Sequence, residues 1–332
     1  MTGRVVVVTG ASAGVGRATA RAFAAAGDSV ALLARGAAGL AGAAAEVESE
    51  GVRAMVVEVD VADAAAVEAA AASVEAALGP IDVWVNCAMA AVLAPVSETT
   101  AEEFRRVTEV TYLGFVHGTL AALPRMRSRD HGVIVQVGSA LAHRAIPLQA
   151  TYCAAKHATR GFNDALRVEL MHDKSNVKVT MVQLPGLNTT QFGWVKTTLS
   201  RHPQPVPPIY QPEVAARAIV AAADRPRREV YVGAPTPLVI WGGRLVPGLV
   251  DRYLAATNYE GQQTDEPIDP QRKDNLWSPV PGDSGSHGIF DDLAKKTSLQ
   301  AWSVTHRPLV GLGASVAALA ALVAAYGIRR RD

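Results

Sequence analysis

Tyr152 and Lys156 stand four residues apart, and Ser139 precedes the tyrosine by thirteen. Four residues is about one helical turn, so on a helix the phenol and the ammonium share a face. A phenol with a pKa of about 10 is a poor acid–base group at neutral pH, and a neighbouring cation lowers that value by favouring the phenolate. A hydroxyl delivered by the end of a preceding strand can then hold a substrate oxygen. Together the three side chains outline a proton-transfer site on a carbonyl or an alcohol. Tyr-x-x-x-Lys also occurs by chance on solvated helix faces, so the pair gains meaning only from the elements around it.

Those elements begin at the amino terminus. Arg4-Val5-Val6-Val7-Val8 is a β-branched run suited to a buried parallel strand. Thr9-Gly10-Ala11-Ser12-Ala13-Gly14-Val15-Gly16 follows, and then an alanine-rich helical stretch from Arg17 to Ala26, stopped by Gly27. Gly10 permits a tight turn, while Gly14 and Gly16 leave the N–H groups of the helix start open to a diphosphate. A glycine-rich turn between strand and helix is a dinucleotide-binding signal. The second strand, Ser29–Ala34, is followed by Arg35, and no Asp or Glu closes it. An acidic residue there would take a ribose 2′-hydroxyl, whereas an arginine accommodates a 2′-phosphate, so Arg35 favours NADP over NAD. Arg17, in the first helix, is expected to face the same region.

Taken together, these motifs resemble the short-chain dehydrogenase/reductase family, in its single-domain Rossmann-fold branch, over about residues 3 to 235. The resemblance implies that Tyr152 is the general acid in reduction and the base in oxidation. Lys156 would lower its pKa and hold the nicotinamide ribose, and Ser139 would hydrogen-bond the substrate oxygen. It implies cofactor contacts from Gly10, Ser12, Gly14, Val15, Gly16 and Arg35, from Asp60 at the adenine with Val61 beside it, and from Asn86 and Ala88. Pro185 and Gly186 would lie beside the nicotinamide, together with Tyr152 and Lys156. Thr189 or Thr190 would take the carboxamide, with the spacing deciding for neither and Thr189 the expected contact.

The chain departs from the family twice. Asn86-Cys87-Ala88-Met89 stands where Asn-Asn-Ala-Gly is usual, so Met89 adds bulk beside the cofactor or substrate. Thr111 stands where an asparagine commonly completes a water-linked proton relay to the lysine. In the family a backbone carbonyl does much of that work, so the threonine bears on turnover more than on reaction type.

Strand candidates Val5–Thr9, Ser29–Ala34, Ala54–Val57, Asp82–Val85, Val133–Val137, Lys178–Gln183 and Glu229–Val232 alternate with helical stretches. The main helical stretches are Ala64–Leu78, Ala101–Arg127, Thr151–Leu170 and Pro212–Asp224. This alternation predicts an α/β fold, a doubly wound parallel sheet covered on both faces. Residues 187–211 lack periodicity and carry four prolines, which fits the family's substrate lid. Net charge is +1, and no basic patch interleaved with aromatics appears, which sets nucleic acid aside. Cys87 and Cys153 read as packing residues, no metal ligand spacing is present, and His143 reads as a surface loop residue.

The chain therefore divides into an oxidoreductase domain at 1–255, an irregular extension rich in Pro, Gly and Asp at 256–307, and an apolar tail at 308–328. The extension is expected to lie on the core, pinned by Trp277, Phe290 and Trp302, or to act as a linker. The tail is uncharged and long enough to cross a bilayer, which takes about 20 apolar residues. A buried dimerisation helix and a surface-lying helix are the competing readings. Arg329-Arg330-Arg331 follows the tail, and cations prefer the cytoplasmic side, where a domain lacking a signal peptide also stays; a spanning tail would have to translocate the three arginines, which favours a tail that dips into the membrane or packs on protein. The expectation is a cytoplasmic catalytic domain attached to the membrane by its tail, in a homodimer or homotetramer as the family implies. Its function would be NADP(H)-dependent interconversion of a ketone or aldehyde with an alcohol on a hydrophobic substrate. A non-catalytic NADP(H)-binding protein held at a membrane or partner surface is the alternative.

Overall fold

A computed structural model describes residues 3–269 and 271–306. Seven parallel strands form one sheet: β1 (Val5–Thr9), β2 (Ser29–Ala34), β3 (Ala54–Glu58), β4 (Val83–Asn86), β5 (Val133–Ser139), β6 (Lys178–Leu184) and β7 (Glu229–Tyr231). Their spatial order is β7-β6-β5-β4-β1-β2-β3. The order reverses between β1 and β4, and the crevice at the carboxyl ends of these strands is where an open α/β sheet binds ligands. All seven predicted strands are present, with ends shifted by a residue or two.

All five residues of β1 are buried, because helices cover both faces and leave no side for polar alternation. Phe23 of α1 (Gly14–Ala25) and Leu40 of α2 (Ala37–Glu48) pack on one face. Val67 and Val74 of α3 (Ala64–Leu78), with Trp84 of β4, pack on the other. Each such large apolar side chain contributes roughly 1.5–3 kcal/mol when fully buried. Asp63 caps α3 by accepting from the Ala66 amide at 3.0 Å.

The stretch predicted as one helix over Ala101–Arg127 is three pieces. α4 (Ala101–Thr108) starts on a Thr100/Glu103 capping box, a π-helical turn spans Glu109–Leu113, and α5 (Gly114–Ser128) follows. Within the π turn the Thr111 hydroxyl donates to the Ala90 carbonyl at 2.7 Å and accepts from the Ala90 amide at 2.9 Å. The wider turn satisfies this bond and still keeps Gly114 against Val61 and Gly118 against Trp84, where any side chain would collide.

The lid region is tied down by short pairings. Lys196–Thr197 pairs with Val92–Leu93, and Arg201–Pro203 pairs antiparallel with Gln263–Pro267 of the extension. The extension lies on the core, but two of its three expected pins are misplaced. Phe290 is buried against Phe192 and Ile209, whereas Trp277 and Trp302 are about half exposed. The buried anchor is instead Leu276, an isolated apolar residue in a polar stretch that carries no periodic signal. No helix among the described residues is long and apolar enough to cross a membrane, and the tail at 308–328 lies outside the described residues.

Candidate active site

A cleft of about 630 Å3 runs along the carboxyl ends of the strands, from Arg35 and Asp60 past the glycine turn to Ser139, Tyr152 and Lys156. Ser139 is the last residue of β5, paired in register with Leu184. Its hydroxyl accepts the Leu141 amide at 3.1 Å, which leaves its proton free to donate into the cleft. Tyr152 and Lys156 lie in the first two turns of α6 (Ala150–His172), facing Ser139 across the cleft. The predicted catalytic residues therefore converge.

The Lys156 ammonium is 2 % exposed, donates to the Val137 carbonyl at 2.8 Å and sits 4.2 Å over the Phe115 ring. Burial lowers its pKa to about 8. The same burial raises the Tyr152 phenol above its ordinary value, against a hydrogen bond to Ser139 that favours the phenolate. The net shift of the tyrosine is thus upward and not the expected lowering: desolvation outweighs what favours the phenolate. Cys87 and Cys153 are buried free thiols, Cys87 pushed up to about 12 and Cys153 to about 11 by desolvation, which suits packing and not nucleophilic attack.

Gly10 has φ +71°, and a side chain on Gly16 would strike the Gly10 carbonyl, so both positions require glycine. In the first turn of α1 the Gly14 amide, expected to be open, donates to the Gly285 carbonyl at 3.1 Å, while the Val15 and Gly16 amides are among those a helix leaves without intrahelical partners. Ser12, Gly14, Val15, Val61, Ala88, Pro185 and Gly186 line the cleft, as do both Thr189 and Thr190. Gly14 and Thr189 face each other so closely that a Cβ on the glycine would lie 3.3 Å from the threonine Cβ. The glycine turn lining the cleft and a buried lysine at its far end together fit a nicotinamide dinucleotide. Among the described residues no group of side chains could hold a metal ion.

Asn86 is the one expected cofactor contact that does not line the cleft. Fully buried behind it, Asn86 accepts from the Trp84 indole at 2.8 Å and donates to Gln136 at 3.0 Å. Arg17 likewise turns away, pairing with Glu46 at 2.9 Å and with Asp283 of the extension. His143 is no surface residue. Its side chain is 1 % exposed and meets Glu229 at 3.2 Å, because the turn after β5 folds it onto the end of the neighbouring strands. Burial opposes the Glu229 charge, yet hydrogen bonds from His143, Tyr231 and Gln183 outweigh it and hold its pKa near about 2.

The extension supplies wall residues that the sequence reading missed. Asn275, Pro279, Val280, Gly282 and Ser284 line the cleft opposite the glycine turn. Arg35 donates to the carbonyls of Asn275 at 2.5 Å and Trp277 at 3.2 Å, and burial lowers its pKa. Asp60 accepts from Arg106 at 2.5 Å, and the Arg106 Nε donates to the Leu276 carbonyl at 3.1 Å. The carbonyls of residues 275–277 are main-chain acceptors in an aperiodic segment, so no side-chain pattern announced them.

Comparison with known proteins agrees with this architecture. A family model described as short chain dehydrogenase matches residues 4–198. An uncharacterized oxidoreductase, YxnA, of Bacillus subtilis is 31% identical over 98% of this chain and 91% of its own length. An alcohol dehydrogenase of the archaeon Thermococcus sibiricus, solved with 5-hydroxy-NADP, superposes with a TM-score of 0.61 at 27% identity, covering 69% of this chain and 95% of that one. An NAD+-bound xylitol dehydrogenase superposes with a TM-score of 0.54 at 29% identity, covering 56% of this chain and 71% of that one.

Proposed function

This chain belongs to the short-chain dehydrogenase family, and on that premise we propose that it is an NADP(H)-dependent oxidoreductase interconverting a hydrophobic ketone or aldehyde with its alcohol. The observation that carries the reading is the convergence of Ser139, Tyr152 and Lys156 at one end of a cleft whose other end is a glycine cradle. The bound dinucleotide supplies or accepts the hydride. The protein's own part is positioning and proton transfer. The Ser139 hydroxyl donates to the substrate oxygen and stabilises charge developing there. Tyr152, kept protonated by burial, delivers its proton to that oxygen in reduction. In oxidation the phenol must lose its proton, and the ammonium of Lys156, 5.6 Å from the ring centre, favours that loss.

Arg35 and the absence of a carboxylate at the end of β2 support the 2′-phosphorylated cofactor. Leu141, Ile146, Leu187, Phe192 and Trp194 make the substrate end apolar, which supports a hydrophobic substrate. Leu120 of α5 and Val168 and Met171 of α6 are exposed, and these are the helices through which a homodimer or homotetramer would pair.

The test is cofactor oxidation by the full chain against ketones and aldehydes of graded hydrophobicity, with Tyr152→Phe as control. Turnover that rises with hydrophobicity and disappears in the variant is the expected result. Cofactor binding without turnover across the panel would instead favour a binding protein.

A further inference from the structure

Residues 275–291 cross the mouth of the cleft as a band fixed at both ends. At the first end the Asn275 amide donates to the Trp194 carbonyl at 3.1 Å, Leu276 is fully buried, and Arg35 and Arg106 hold the local carbonyls. At the second end the Phe290 amide donates to the Asn188 side chain at 3.0 Å. The Asp291 carboxylate accepts from Asn188 and from Gln211, each at 2.8 Å. Between these anchors the band meets the glycine turn itself. The Gly14 amide donates to the Gly285 carbonyl at 3.1 Å, and Asp283 pairs with Arg17. Gly282 and Gly285 flank Asp283 with φ of +90° and +67°, so the middle has a glycine joint on each side of its ion pair.

The cleft persists beneath the band. Ser12, Val15, Asp60 and Val61 line it from the core side, and Pro279, Val280, Gly282 and Ser284 line it from the band side. The band is therefore a wall and not a filling. It lies beyond residue 198, where the match to the family model ends.

We propose that residues 275–291 form a clasp over the adenosine and diphosphate half of the cofactor, which binds beneath it and leaves only when the middle lifts off Gly14 and Arg17. The clasp rests on the family's use of a nicotinamide dinucleotide and is independent of the choice between NADP and NAD. Arg17 keeps Glu46 when Asp283 is removed, so an Asp283 variant loosens the middle without stranding a buried charge. Both anchors stay intact in that variant.

The experiment is stopped-flow binding and displacement of NADPH and of NADH on the full chain, comparing wild type with Asp283→Ala and Asp283→Asn. The clasp predicts dissociation faster by roughly tenfold in both variants, with association faster as well, since the same middle must lift to admit the cofactor and to release it. Hydrogen exchange at Gly14 and Gly285 should slow in wild type when cofactor is added, and less so in the variants. Unchanged dissociation would overturn the proposal. Faster association with unchanged dissociation would also overturn it, showing a band that competes with the cofactor. Failure of wild type to bind either dinucleotide would overturn the cofactor reading as well, an outcome distinguishable from a bound cofactor with unaltered release.

Discussion

The Lys156 ammonium donates to the carbonyl of Val137 across 2.8 Å, tying α6 to the strand that ends in Ser139. A fully buried cation resting on a main-chain carbonyl and an aromatic face is costly to keep charged, and its pKa of about 8 expresses that cost. Because the folded value lies below the unfolded one, the penalty is full at pH values under the folded pKa. It fades as pH rises towards the unfolded lysine value of about 10.4. Lys156→Met should therefore abolish most turnover while raising the thermal midpoint at neutral pH, by up to about 3 kcal/mol in stability. That gain should vanish near the unfolded lysine value. Calorimetry across the pH range checks this, and a midpoint lowered at every pH would contradict it.

Ser139→Ala should lower kcat by roughly a hundredfold, about 2.7 kcal/mol, with a smaller effect on cofactor KM, because the hydroxyl acts on charge that develops at the substrate oxygen. Steady-state kinetics in both directions would show it. Alcohol oxidation should rise with pH as the Tyr152 phenol, held high by burial, gives up its proton, and carbonyl reduction should fall over the same range.

Arg35→Ala should raise KM for NADPH by roughly tenfold to a hundredfold, about 1.4–2.8 kcal/mol, and change that for NADH far less. Equal effects on both cofactors would mean that Arg35 serves only the carbonyls of residues 275–277 and not a 2′-phosphate.

Asn86→Ala should destabilise the fold by about 2–4 kcal/mol, since it leaves the Trp84 indole and the Gln136 carbonyl oxygen without partners inside the core. Cofactor affinity of the folded fraction should stay close to wild type. Urea unfolding together with a cofactor titration separates the two effects.

His287 bridges Asp291 of the extension and Glu213, each at 2.9 Å. Partial burial disfavours its cation, but the hydrogen bond and charge of Glu213, aided by Asp291, outweigh this and raise its pKa above the usual imidazole value of about 6.5. A raised cation contributes its stability below the unfolded pKa and loses it as pH rises through the folded one. Hydrogen exchange over residues 285–291 should accelerate above that range in wild type and show no such step in His287→Gln.

Much of the catalytic end was legible in the residues themselves. A valine run, a glycine turn and a helix, followed by Ser139, Tyr152 and Lys156 at their spacings, determine a parallel sheet with a glycine turn at its carboxyl edge and these three side chains in the same cleft. They do so because backbone periodicity and bare glycine are local properties. What only the tertiary structure decided depends on contacts between distant segments. Asn86 moved from the cleft to the core because Trp84, Gln136 and Thr119 surround it. His143 became buried because β7 brings Glu229 beneath it. The π turn at Glu109–Leu113 answers to the backbone of Ala90. The band over the cleft is attached at one end and at its middle through carbonyls of residues 275–277 and 285, and a carbonyl is common to every residue, so no sequence pattern can mark which of them the fold will use.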